Sequence, residues 1–270
     1  GQYGFGGGQV GAAALAAARN GKRVVMTEET DWIGGQLTQQ AVPPDEHRWI
    51  ESYGATRTYR AYRAGVRDYY RNHYPLTGEA HAQWNLNPGN GWVSRLCHEP
   101  KVSLAVLRAM LAPWESCGQV EVLLYTKAIA ADTEGDRVRS VIVRDSQTGA
   151  ETVLHGAYFL DVTELGDLLP MTGTEYVTGF ESQAETGELH APAEAQPDNM
   201  QSFTCCFAVD HVSGEDHTIG RPASYSFWRD YVPELRPAWP GRLLDWTYSQ
   251  PKTLEPITKD IDPAGPDRSD

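Results

Sequence analysis

The hydrophobic pattern changes period several times along the chain, and each change marks an element. Ala12 to Ala18 is an unbroken run of small and aliphatic residues ending at Arg19, which predicts a close-packed helix. Asn20-Gly21 stops it, because the αL position after a helix favours those two residues. Lys22 to Thr27 holds the short apolar run Val24-Val25-Met26 and leads into Glu28-Glu29, so the order is glycine loop, helix, strand, acid. Ala55 to Tyr74 predicts a second helix, with Arg57, Arg60, Arg63, Arg67 and Arg71 spaced by three and four. At 3.6 residues per turn those five fall within an arc of roughly 120°. Leu76 to Asn90 lacks apolar periodicity and ends in the turn-forming Asn87-Pro88-Gly89-Asn90-Gly91. A third helix is expected from Pro100, with apolar residues from Val102 to Leu111 on more than one face, as in a buried helix.

Strand-like runs follow at Val120 to Leu124, Arg137 to Arg144 and Thr152 to Leu160, with turns at Glu134-Gly135-Asp136 and Gln147-Thr148-Gly149. They predict a β-meander whose last strand enters Asp161. After Pro170 the periodicity dissolves among acids, prolines and aromatics. A domain boundary is therefore expected near residue 172, dividing the chain into 1–172 and 173–270. No internal repeat is evident.

Composition narrows the class. The 270 residues are 22% charged and 40% hydrophobic, which suffices for one large or two modest folded domains. A net charge of −13 opposes a nucleic-acid partner. No stretch approaches the ~18 apolar residues of a membrane span. No basic segment followed by an apolar one opens the chain, so neither membrane insertion nor a secretory signal is expected. Four scattered cysteines, Cys97, Cys117, Cys205 and Cys206, point to a reducing, cytoplasmic setting. The chain opens on Gly1 and not Met, as a processed chain or a fragment does.

Chemistry gathers first at the amino terminus. Gly6, Gly8 and Gly11 match G-x-G-x-x-G at the head of a helix, and Glu28 closes the next strand 17 residues after Gly11. Such a loop brings bare backbone and a helix N-terminus to a pyrophosphate, while the acid accepts hydrogen bonds from ribose hydroxyls. The other reading is a flexible glycine-rich start before an alanine helix. Only Gly1 to Phe5 precede the loop and they lack an aliphatic run, so the fold is expected to lack its first strand. Leu15 makes the loop-to-helix spacing look one residue short.

Past the acid stand Asp31-Trp32-Ile33-Gly34-Gly35-Gln36-Leu37-Thr38 and Val42-Pro43-Pro44-Asp45-Glu46-His47. Farther on come Asn87-Pro88-Gly89, Leu96-Cys97-His98-Glu99-Pro100 and the run Asp161-Val162-Thr163-Glu164-Leu165-Gly166-Asp167-Leu168-Leu169-Pro170. Together with the opening, this set resembles the FAD-dependent oxidoreductase family related to the flavin subunit of heterodisulfide reductase, over about residues 6 to 210. The resemblance implies an α/β, Rossmann-like FAD-binding fold with an inserted β-meander. A substrate or cap domain would begin near residue 173. It implies FAD as cofactor, held by Gly6, Gly8, Gly11, Glu28, Gly34, Gly35, Gln36, Asp161, Gly166 and Asp167. Hydride or electrons would pass through the flavin to an unnamed small-molecule substrate or redox partner. For Asp161 to Asp167 a helix cap is the competing and compatible role, with Asp161 or Thr163 capping a helix from Glu164.

His47 and His98 are the candidate proton-transfer residues, each with a structural role as the alternative. The arginine stripe fits either a solvated helix face with its stems against Tyr59, Tyr62 and Tyr70, or an anion site. Cys205-Cys206 reads as two small side chains or a vicinal redox pair. No C-x₂-C run supports an iron–sulfur cluster and no His/Asp/Glu spacing supports a metal site. Two competing functions remain at this stage. One is an NAD-dependent dehydrogenase, which the loop and Glu28 alone allow. The other is a truncated, non-catalytic flavoprotein fragment.

Overall fold

The computed structural model describes residues 2–5, 8–44, 47, 49–91, 93–200, 206, 212–235, 238–239, 241–250, 253 and 255–258, with the backbone alone at 2–5 and 8–10. The chain divides into two units, residues 1–207 and 208–270. The change of character near residue 172 falls inside the first.

A four-stranded parallel sheet organises the first unit. β1 (Gln2–Phe5) lies between β2 (Val24–Thr27) and β7 (Tyr158–Asp161), and β3 (Val120–Leu123) adds to the far side of β2. The expected absence of a first strand is thus corrected. Gln2-Tyr3-Gly4-Phe5 lacks an aliphatic run, but its backbone is paired on both sides, and a central strand is held by its two ladders as much as by its own side chains. The apparent one-residue shortfall is absorbed because α1 (Gly8–Arg19) starts inside the glycine loop. It stops where expected, with Gly21 at φ +72°.

Three helices cover one face of this sheet. They are α1, α2 (Arg57–His73) and α4 (Pro100–Ser116), with Pro100 at the first turn of α4; the short α3 (Gly78–Ala82) interrupts the expected loop. Ala14, Leu15 and Ala18 of α1 pack with Val24 and Met26 of β2, Tyr62 and Val66 of α2, and Val106 and Leu111 of α4. Successive strand residues face opposite sides, so Val25 points away from this core and packs against a second one.

That second core belongs to the antiparallel meander β4 (Thr126–Glu134), β5 (Arg137–Asp145) and β6 (Glu151–His155), where Val141, Val143 and Leu154 are buried. Two expectations shift here. The Val120 to Leu124 run belongs to the parallel sheet, and the Thr152 to Leu160 run is two strands in two sheets, divided at Gly156-Ala157. The insertion lies between β3 and β7. Beyond β7 come α5 (Leu168–Thr172) and α6 (Gln183–Thr186). The second unit carries α7 (Tyr225–Asp230) and the hairpin of β8 (Thr247–Ser249) and β9 (Pro256–Thr258). Its Phe227, Trp228 and Tyr231 rings pack on one another.

Candidate functional site

Register places the candidate residues. Phe5 pairs with both Thr27 and Asp161, so the loop after β1, Glu28 after β2 and the Asp161 loop after β7 all leave the same carboxyl edge. In open α/β sheets this edge is where ligands bind. A cavity of about 680 Å³ opens there. Gly11 and Ala12 of α1, Gln36 and Leu37, and Asp161 to Glu164 form its sheet-edge side. Val42 to Pro44, Tyr59 and Tyr62 of α2, and Leu107 and Met110 of α4 supply most of the rest.

Gly11 sits in the first turns of α1, and a Cβ built on it meets nothing within 4 Å. Gly8 is the first residue of that helix, and Gly6 lies outside the described residues. Gly34 and Gly35 carry positive φ of +116° and +50°. A Cβ at Gly34 would lie 2.7 Å from both Leu107 Cδ1 and Thr38 Cγ2, so glycine is required where the chain passes under α4. The buried Thr38 hydroxyl donates to the Ile33 carbonyl at 2.8 Å and fixes this short helical turn.

Glu28 is 4% exposed. Its Oε1 accepts from the Thr30 amide at 3.0 Å and the Thr30 hydroxyl at 2.9 Å. Burial pushes its carboxyl above the usual range, with Glu29 and Glu164 adding to the rise and the Thr30 hydrogen bonds partly offsetting it. The acid is a preformed acceptor held against its own preference.

Asp161 has a different task. Its Oδ1 accepts from the Thr163 amide and hydroxyl, and its Oδ2 from the Leu168 amide at 2.8 Å. The Thr163 hydroxyl in turn accepts from the Asp167 amide. Asp161 therefore shapes the loop 161–168 from within; the expected helix from Glu164 is corrected, because the chain turns on these side-chain hydrogen bonds and the helix begins only at Leu168. Gly166, at φ +67°, and Asp167 form the turn into α5 and do not line the cavity. Glu164 does, and its Oε1 accepts from Gln40 Nε2 at 2.8 Å, tying two rim loops together.

The two histidines part company. His47 is exposed beside Trp49 and Tyr53, and its Nδ1 accepts from the Trp49 amide at 3.3 Å. His98 is half-buried and reaches Tyr62, a residue of the cavity wall. Two motifs joined in the sequence reading only by family likeness prove to be one unit. Asn87 Oδ1 accepts from the Cys97 amide at 2.6 Å, and the Gly89 amide donates to the Cys97 carbonyl at 2.8 Å. The arginine stripe is corrected in part: Arg57 and Arg60 are exposed, but Arg63 and Arg67 are buried and both donate to Glu51, with Arg67 Nε also on the Leu86 carbonyl. Cys205 lies outside the described residues, and Cys206 is exposed. Tyr59, Tyr62 and Glu164 were missed as site residues; the only advance signal for the tyrosines was their three-residue spacing on α2.

Among the described residues, no group of three or more His, Cys, Asp or Glu side chains is placed to hold a metal, and no helix is long and apolar enough to cross a membrane. A parallel sheet, a helix that opens at Gly8 after its first strand and a buried acid at the end of the second define a dinucleotide-binding α/β fold, although Glu28, Gly34 and Gly35 are not among the residues that line the cavity. The chain belongs to the FAD dependent oxidoreductase family, whose model matches residues 5–264. The NAD-dependent alternative gives way to that match, and FAD is the cofactor. The site fits it: open space at Gly11 beside the cavity, and a buried carboxylate with oxygen to spare at the end of β2.

Among solved structures, the chain is similar to the glycerol-3-phosphate dehydrogenase from Bacillus halodurans complexed with FAD, at 13% identity and a TM-score of 0.40 over 63% of this chain and 36% of that one. Thermovibrio ammonificans THI4 matches at 13% identity and 0.37, over 72% and 74%. L-lysine 6-monooxygenase from Pseudomonas syringae matches at 14% and 0.28, over 60% and 34%. The chain thus spans about a third of the dehydrogenase it matches. No curated protein sequence matches it.

Proposed function

We propose that this chain is the flavin-holding part of an oxidoreductase that acts on a small-molecule substrate or redox partner. One observation carries the proposal: strand register brings the glycine turn, Glu28 and the Asp161 loop to one edge, beside a cavity into which Gly11 leaves open space. Bound FAD would supply hydride and electron transfer. The chain's own residues do the rest. First-turn amides of α1 would receive the anionic linkage, whose charge suits a helix N-terminus. Glu28 would accept from sugar hydroxyls. Gly34 and Gly35 would carry the chain under α4 and so place Gln36 on the cavity, Asp161 would hold its loop in shape, and Tyr59, Tyr62, Leu107 and Met110 would exclude water. The relation to the heterodisulfide reductase flavin subunit, and the placing of a substrate domain from residue 173, belong to the same proposal.

The test is release of the cofactor from purified protein by acid or heat. A yellow supernatant with FAD absorbance and fluorescence, at one flavin per chain, is expected. A colourless supernatant from protein that also fails to take up added FAD would support the non-catalytic fragment instead.

A further inference from the structure

Two segments that line the cavity are each braced from within. The first is the turn that follows Gly34-Gly35. Its Gln40 amide donates to the Gly35 carbonyl at 3.2 Å, its Ala41 amide to the Thr38 carbonyl at 3.0 Å and its Val42 amide to the Gln36 carbonyl at 2.9 Å. Ala41 reverses the chain at φ +55°, a costly conformation for a residue other than glycine, which these bonds hold in place. Gln36 and Leu37 before the reversal and Val42 to Pro44 after it line the cavity. The second segment is the loop 161–168, braced by Asp161 and Thr163, with Asp161 to Glu164 on the same cavity. Gln40 Nε2 joins the two by donating to Glu164 Oε1 at 2.8 Å, across 124 positions of sequence. Glu164 is exposed and Gln40 half-buried, so water can replace either partner. Because each segment keeps its shape through its own hydrogen bonds, this one fixes the distance between them.

We propose that Gln40 and Glu164 are positioning residues that clasp these two walls together and so set the rate at which FAD enters and leaves. The inference rests on the flavin reading of that cavity. With the clasp closed, the turn carrying Gln36 and Leu37 and the loop carrying Asp161 to Glu164 stand at one separation. With it open, they move apart as two braced pieces and the cavity widens, while neither loses its own hydrogen bonds. Exchanging one exposed hydrogen bond for water changes the free energy little, so the open form is readily reached. The clasp joins protein to protein and is present with the cavity empty or filled. It therefore slows entry and exit together and leaves the affinity nearly unchanged. A side chain that held the cofactor by direct contact would slow exit alone.

Stopped-flow association and displacement of FAD read the two rates. Gln40→Ala keeps every charge and should raise both rate constants about fivefold, the scale of one exposed hydrogen bond, with Kd within about twofold of wild type. Gln40→Glu sets two carboxylates against each other and should speed dissociation at least as much. Adding Glu164→Gln to it restores a donor and an acceptor, with their direction reversed and the charge of the pair unchanged. That double variant should return dissociation to within about twofold of wild type, a coupling that independent sites lack. The exposed neighbour Gln39→Ala should change neither rate. Wild-type rates in Gln40→Ala, faster dissociation with unchanged association, or a double variant that dissociates as fast as Gln40→Glu would each overturn the clasp. Without flavin, the Gln40 side-chain amide resonance, assigned by its loss in Gln40→Ala, should shift in Glu164→Ala. An unmoved resonance also overturns the clasp. If that resonance moves and the wild-type protein binds no FAD, the result counts against the flavin reading alone.

Discussion

Glu28 is a buried carboxylate held at a cost in stability. Burial raises its carboxyl pKa, helped by Glu29 and Glu164 and opposed by Thr30. A raised acid favours the fold fully only below its unfolded pKa, and that contribution is lost as pH rises through the folded value. Glu28→Gln should therefore raise the Tm of the flavin-free protein at pH 7 and flatten this part of its stability–pH curve. The same change should weaken FAD about tenfold or more, the cost of a charge-assisted acceptor at about 1.5–3 kcal/mol. Thermal melts from pH 5 to 8, with and without FAD, check both. Glu51 has the opposite sign. Burial pushes its carboxyl up, but the hydrogen bonds and charges of Arg67 and Arg63 outweigh this and hold it low. Its contribution is present above the ordinary carboxylate range and is lost as pH falls through the lowered value. Glu51→Gln removes the carboxylate that buried Arg63 and Arg67 share and should cost about 3 kcal/mol or more in urea denaturation.

At the scale of elements, what the sequence made legible is what local pattern decides. The loop-helix-strand-acid order, α2 and the start of α4 follow from apolar runs, the arginine spacing, the Pro100 helix start and the Asn20-Gly21 stop. β4 was not legible, because the Ala128-Ile129-Ala130-Ala131 segment has weak strand preference and is held by its ladder to β5. β1 was misjudged for a related reason, since its pairing on both sides is a tertiary fact. Gly34-Gly35 was legible as a tight backbone passage and Glu28 as a strand-end acid, because each serves its own backbone or strand end. The α2 and α4 walls were not, since only packing brings them to the cavity. Asp161 belongs to this scale too. Asp161→Ala removes acceptors for the Thr163 and Leu168 amides, and should speed hydrogen exchange at both and weaken FAD binding through loss of the loop. Unchanged exchange at Leu168 would deny it that organising role.

For the whole molecule, charge sets how the cofactor arrives. The chain carries −13, and among the described residues no lysine or arginine lines the cavity, while Asp161 and Glu164 do. An anionic ligand meets net repulsion until backbone amides receive it. Raising salt from 10 to 150 mM shortens the screening length from about 30 to about 8 Å. Stopped-flow association of FAD should accordingly speed up with salt, opposite to a ligand steered by basic side chains. The family match and the strand-edge geometry converge on one claim, that this chain holds FAD at the carboxyl edge of its parallel sheet. Titrating flavin-free protein with FAD while following flavin fluorescence tests it most directly. Saturable quenching at one FAD per chain, markedly weakened in Glu28→Gln, is the predicted result; a linear, unsaturable response in the folded wild-type protein would contradict it.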